Sequence, residues 1–127
     1  MKLWIDDVRN APDGYEWCKS VNEAIALIKM SEKHIEHYMK CGHECFLDRD
    51  YKGRTQCYVN ANKWYIELID IDHDAGDFNS DGGDYINLLN WLEETGRNYP
   101  IRIHSMNPVG VQNMRAIIQR NGWIEVK

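Results

Sequence analysis

No stretch of the chain stays apolar long enough to cross a bilayer, and the amino terminus, Met1-Lys2-Leu3-Trp4-Ile5, turns acidic at Asp6, too early for a secretory leader. Those absences predict a soluble, cytoplasmic protein with no membrane partner. An excess of positive charge is also lacking, since 15 lysines and arginines stand against 20 aspartates and glutamates, for a net charge of -5. Each phosphate contact along a nucleic-acid backbone calls for a local cation, so no extended nucleic-acid surface is expected. A small local phosphate site is compatible with that charge. No repeat or low-complexity tract interrupts the 127 residues, and the hydrophobic (43%) and charged (28%) shares are those of an ordinary globular chain. The expectation is one domain over residues 1–127, large enough to bury its own core.

Cys18, Cys41, Cys45 and Cys57 come without a secretory signal and read as free thiols. On a helix, His34, His37 and Cys41 would share one face, with His43 and Cys45 just beyond, which could supply nitrogen and sulfur ligands to zinc. That spacing matches no common zinc module, so zinc is less favoured than thiols beside surface histidines. A calcium reading meets a similar limit. Asp77-Phe78-Asn79-Ser80-Asp81-Gly82 opens like a calcium loop, but Leu88 stands where the closing glutamate belongs, and a polar loop capped by Asp84 is the better reading.

What is present centres on Ile66-Glu67-Leu68-Ile69-Asp70-Ile71-Asp72-His73-Asp74-Ala75-Gly76. A short β-branched apolar run of this kind suits a strand buried on both faces of a parallel sheet. In open α/β sheets ligands lie at the carboxyl ends of strands, which is where Asp72, His73 and Asp74 fall. Residues 2–5 form a first strand ended by the paired acids Asp6-Asp7, with Arg9 close behind and a Pro12-Asp13-Gly14 turn. Adjacent carboxylates repel unless a cation or a shared proton is present, so the pair is half of a divalent-metal or acid-base site.

Ser20-Val21-Asn22-Glu23 is a capping box that opens a helix, with Val21, Ala24, Ile25 and Ile28 on its buried face; the pattern runs to Gly42 or restarts at Ser31. Residues 43–65 read as a β-hairpin or irregular insertion, with Arg49, Lys52 and Arg54 as a basic tip. Tyr85, Leu88, Leu89 and Leu92 predict the next helix's buried face. Ile101-Arg102-Ile103 is a third strand that ends in His104-Ser105-Met106-Asn107-Pro108. Asn107 is a good N-cap and Pro108 suits the first helical position, so a helix carrying Met114, Ile117 and Ile118 starts there, offering N-H groups to an anion. Trp123-Ile124-Glu125-Val126 predicts a last short strand. The alternation predicts an α/β fold, a flavodoxin-like three-layer sandwich whose mainly parallel sheet has helices on both faces. All the polar clusters then converge on one sheet edge.

Paired acids after the first strand, an acid after the central strand and a serine after a later one resemble the receiver domain of response regulators. That likeness implies that Asp6 and Asp7 hold magnesium, that Asp72 accepts a phosphoryl group and that Ser105 is the switch hydroxyl. The receiver's lysine would have to be Lys127, and His73 and His104 are additions that such a switch does not need.

The sequence is more closely similar to the cyclic-phosphate processing receiver-like domains, through Trp4-Ile5-Asp6-Asp7-Val8-Arg9 with Pro12 and Gly14, Ile71-Asp72-His73-Asp74-Ala75-Gly76, and Ile103-His104-Ser105-Met106-Asn107-Pro108-Val109-Gly110. This resemblance implies a phosphate-containing small molecule or an RNA end as partner, bound or hydrolysed as a cyclic phosphate. His73 and His104, with Asp72 and Asp74, would be catalytic, since imidazole titrates near neutral pH. Arg9, Ser105 and Asn107 would bind phosphate, and Asp6, Asp7 and Asp72 would hold Mg2+ or Mn2+. The competing readings are a non-enzymatic phosphate-sensing or protein-docking module, a phosphoryl-accepting switch, and a haloacid-dehalogenase-like phosphatase using Asp72 and Asp74.

Overall fold

A computed structural model describes all of residues 1–127. Its four strands are β1 (Lys2–Ile5), β2 (Tyr15–Cys18), β3 (Leu68–Ile71) and β4 (Ile101–Ile103), and its four helices are α1 (Val21–Leu47), α2 (Tyr51–Trp64), α3 (Ile86–Glu94) and α4 (Pro108–Asn121). A turn of 3-10 helix at Gly76–Phe78 follows β3. The strands form one all-parallel sheet in the order β2-β1-β3-β4. Continued by a parallel bridge between Ile101 and Glu125, this is the order of a receiver-like, flavodoxin-like α/β fold.

The core follows from the pleat. Leu3 pairs with Ile69 and Ile5 with Ile71, and Ile69 and Ile71 continue to Ile101 and Ile103. Leu3, Ile5, Ile69, Ile71 and Ile101 are fully buried beside Val21, Ala24 and Ile28 of α1, Leu88, Leu89 and Leu92 of α3, and Met114, Ile117 and Ile118 of α4. The predicted buried faces of three helices are therefore the observed ones. Their starts and stops also follow from local chemistry. Ser20 Oγ caps α1 by accepting from Glu23 N, Asn107 Oδ1 caps α4 by accepting from Gly110 N with Pro108 at the first position, and Gly122 ends α4 in the left-handed region.

Three expectations are corrected, and one strand is added. Residues 43–65 are helical rather than a hairpin of strands, because α1 runs unbroken to Leu47 and α2 starts at Tyr51. Cys45-Phe46-Leu47 has strand-like composition, but Gly42 receives the ring of Tyr58, and that close packing of one helix on the other outweighs local preference. Tyr15–Cys18 is an unforeseen strand, joined to β1 by the loop 6–14 with no helix between. Trp123–Val126 contributes a single bridge, not a strand. Asp84 does not cap α3, since its carboxylate accepts from Ala75 N and Asn79 Nδ2.

Because α1 starts just past the carboxyl end of β2 and spans 27 residues, its far end lies about 40 Å from the sheet edge where it begins. The basic tip therefore stands away from the acidic edge. Arg54 there lies over the rings of Phe46 and Tyr51.

Candidate functional site

The carboxyl ends of β1, β3 and β4 are neighbours, so Asp6-Asp7, Asp72-His73-Asp74 and His104-Ser105 meet where the strand order reverses. Asp6 is 1% exposed and fully occupied. Its Oδ1 accepts from the backbone N-H of Val8 (2.9 Å) and Arg9 (2.8 Å), while Oδ2 faces Arg9 Nε at 3.0 Å and His104 Nε2 at 3.0 Å. Burial alone would raise its pKa, but the two N-H groups, His104 and the Arg9 guanidinium together bring it below the usual carboxylate value.

Asp7 is the contrary case. Burial and the charges of Asp6, Asp72 and Asp77 push its carboxyl up. Asp7 packs on Gly76, whose backbone has φ +53° and where a Cβ would stand 2.1 Å from Asp7 Oδ2. Only glycine combines that conformation with that approach. Arg9 reaches across the cluster, its Nη2 3.2 Å from Asp72 Oδ2, so one guanidinium ties Asp6 to Asp72. Asp72 Oδ1 accepts from His73 N at 2.7 Å.

One acidic-cluster oxygen from each of Asp6, Asp7 and Asp72 lies within 4.8 Å of the others. Three hard oxygen donors fit Mg2+ or Mn2+. Since Asp6 is saturated by its own partners, Asp7 and Asp72 are the better placed ligands. His73, Asp74 and Asp84 form a second such group. The His34, His37, Cys41 set does not come together, because the His34 ring stacks on Trp64 at 4.1 Å.

The two histidines are held differently. His104 Nδ1 is 2.6 Å from Asp70 Oδ1 and its Nε2 is 3.0 Å from Asp6 Oδ2, while its ring stacks on Trp4 at 3.9 Å and 4°. Both ring nitrogens thus face buried carboxylates, which fixes the ring and leaves no nitrogen for a substrate. His73 Nδ1 meets Asp74 Oδ1 at 2.9 Å, and its Nε2 has no partner within the chain. A carboxylate on Nδ1 selects the tautomer in which Nε2 carries the lone pair. The same ring lies on Gly110 of α4, where a Cβ would come within 2.4 Å of it, and Asn107 Nδ2 is 3.4 Å from Nδ1.

The start of α4 offers fewer donors than expected. Pro108 has no N-H, Gly110 N is taken by Asn107 Oδ1 and Val111 N by Asn107 O, which leaves Val109 N in the first turn. Ser105 Oγ accepts from Asn107 N at 3.1 Å, with its own proton still to donate. Lys127 is outside the cluster, since its Nζ pairs with Glu125 at 2.5 Å. The largest concavities, of about 420 and 350 Å3, also lie elsewhere, one lined by Leu27, Met30 and Trp64 and the other by Ile35, Tyr65 and Tyr99. The acidic edge is open, not a pocket.

A family model described as "Cyclic-phosphate processing Receiver domain" matches residues 1–67 and 41–120. The chain belongs to that family. No curated protein and no solved structure matched it. For this cyclic-phosphate processing receiver domain, sequence reasoning passed over Trp4, Asp70, Gly76 and Gly110. Asp70 was detectable as a carboxylate inside an otherwise apolar strand; the two glycines carried no signal beyond their place in the quoted motifs.

Proposed function

We propose that this receiver domain binds a cyclic phosphate, either a nucleotide or an RNA 2',3'-cyclic phosphate end, and hydrolyses it at the carboxyl edge of the sheet. The observation that carries the reading is His73, with Nδ1 held by Asp74 and Nε2 open at the edge where Arg9 spans Asp6 and Asp72. That is a base with its tautomer chosen, beside a cation suited to phosphate oxygens. His73 Nε2 takes the proton of the attacking water. Arg9, Ser105 Oγ and the Val109 N-H hold the phosphoryl oxygens, where each donor gains strength as charge builds in the transition state. The departing hydroxyl takes its proton from solvent, which reaches this open edge. A divalent cation on Asp7 and Asp72 would supply further charge neutralisation at phosphate. His104 is a positioning residue that fixes Asp6, and through it Arg9.

The test is turnover of a panel of 2',3'-cyclic nucleotides, with Mg2+, Mn2+ or chelator, by the wild type and His73→Ala. Hydrolysis falling in the variant by about 100-fold or more supports the assignment. Saturable binding with no turnover by the wild type would leave a phosphate-sensing module.

A further inference from the structure

We propose that Lys19 is a substrate-binding residue of the carboxyl edge, the cation that draws a phosphate onto the acidic cluster from the β2 side. The inference rests on the phosphate-binding part of the reading above and names the group that sets affinity there.

The need arises from charge. Arg9 is already engaged by two carboxylates, with Nε 3.0 Å from Asp6 and Nη2 3.2 Å from Asp72. Asp7, Asp74 and Asp77 add further negative charge in the same loops. An anion approaching that edge is repelled unless a cation without a carboxylate partner stands close by.

Lys19 meets that description. It directly follows β2, and Asp6 N donates to Cys18 O at 3.2 Å, so the ladder between β1 and β2 continues to the strand ends and sets Lys19 beside Asp6-Asp7. Neighbouring strands lie about 4.8 Å apart, within reach of a lysine side chain. The ammonium takes part in no ion pair of the chain; only the backbone N-H of Lys19 meets Glu23, at 3.4 Å. Instead, Nζ lies over the Trp17 ring at 4.5 Å and the Phe78 ring at 6.0 Å. Both rings border the cluster. Trp17 Nε1 donates to Asp6 O at 2.7 Å, and Phe78 closes the 3-10 turn whose first residue, Gly76, packs on Asp7.

The backbone of Lys19 is also tied to that of His73. Tyr85, fully buried, donates from its hydroxyl to Lys19 O at 2.7 Å and from its backbone N-H to His73 O at 3.0 Å. Aromatic faces hold an ammonium without the opposing charge of a carboxylate, so Lys19 is available to a phosphate oxygen, which its flexible stem lets it reach.

The experiment uses the full chain and follows, by NMR titration, binding of inorganic phosphate and of adenosine 2',3'-cyclic monophosphate, together with turnover of the latter. Lys19→Met keeps an apolar stem on Trp17 and removes the charge. Lys19→Arg keeps the charge, and Lys33→Met, on an exposed position of α1, is the control. The expected result is a Kd for both ligands, and a KM, raised about 10-fold in Lys19→Met with kcat changed far less, recovered by Lys19→Arg and unaltered in Lys33→Met. Rising salt should shrink the difference. Unchanged affinity in folded Lys19→Met, with turnover still lost in His73→Ala, overturns the role of Lys19 and leaves the cyclic-phosphate reading standing. Phosphate binding that depends on Lys19 without any turnover upholds Lys19 and removes only the hydrolytic reading. Failure of the wild type to bind either ligand overturns both.

Discussion

His73 and His104 come from equivalent places, each just past the end of a strand, yet their surroundings separate their roles. Removing His104 leaves Asp6 with Arg9 and Asp70 with Arg102 but takes one hydrogen-bond partner from each buried carboxylate, so His104→Ala should cost about 1.5–3 kcal/mol in urea denaturation. His73 packs at the rim against Gly110, and its loss should act mainly on turnover. Gly110→Ala tests that ring position without touching a polar group. Alanine favours the helix by up to about 1 kcal/mol over glycine, but its Cβ would stand 2.4 Å from the His73 ring and drive it off Asp74. The expected outcome is a folded protein with turnover reduced to that of His73→Ala; full activity would show that the ring has room to adjust.

Among the elements, α3 and α4 are joined by a fork of charge. Arg120 Nε and Nη2 meet Glu93 at 2.7 and 2.6 Å, and Asn121 Nδ2 also donates to that carboxylate. The Arg120 and Asn121 hydrogen bonds lower the Glu93 pKa to about 2 from an ordinary 4.5. A depressed carboxyl stabilises the fold fully above its unfolded pKa and loses that contribution as pH falls through the folded value. The window is therefore pH 4.5 down to about 2. Acid titration of the melting temperature should fall less steeply across that window in Glu93→Gln than in the wild type. The hairpin of α1 and α2 teaches a different lesson about elements. A short apolar run, Cys45-Phe46-Leu47, is ambiguous between strand and helix, and the ambiguity was resolved by Gly42 against Tyr58, residues 16 apart in sequence.

For the molecule as a whole, the carboxyl edge carries more negative charge than Arg9 can balance. Folding brings Asp6, Asp7, Asp72 and Asp77 together, and burial first, then these neighbouring charges, raise the pKa of Asp7. A carboxyl whose pKa rises on folding opposes the folded state once it ionises, so Asp7→Asn should melt higher than the wild type at neutral pH without divalent ions. Mg2+ should reverse that order. At 100 times its dissociation constant a ligand stabilises the native state by about 2.7 kcal/mol, which is expected for the wild type and not for Asp7→Asn. Equal shifts in both proteins would place the cation elsewhere, with His73, Asp74 and Asp84 the next group to vary.

The sequence by itself determined what depends on near neighbours along the chain. Apolar periodicity marked the buried faces of α1, α3 and α4, Ser20 and Asn107 marked helix starts, and the strand-end motifs marked which residues meet at the edge. These are local signals, because a strand's end and a helix's cap are written within a few residues. Tertiary structure decided what depends on residues distant in sequence. It turned His104 into a buried link between Asp6 and Asp70, left His73 Nε2 open, filled Asp6, and set Tyr58 against Gly42. It also made Tyr15–Cys18 a strand, because a four-residue edge strand gains its stability from pairing with β1 and not from its own composition.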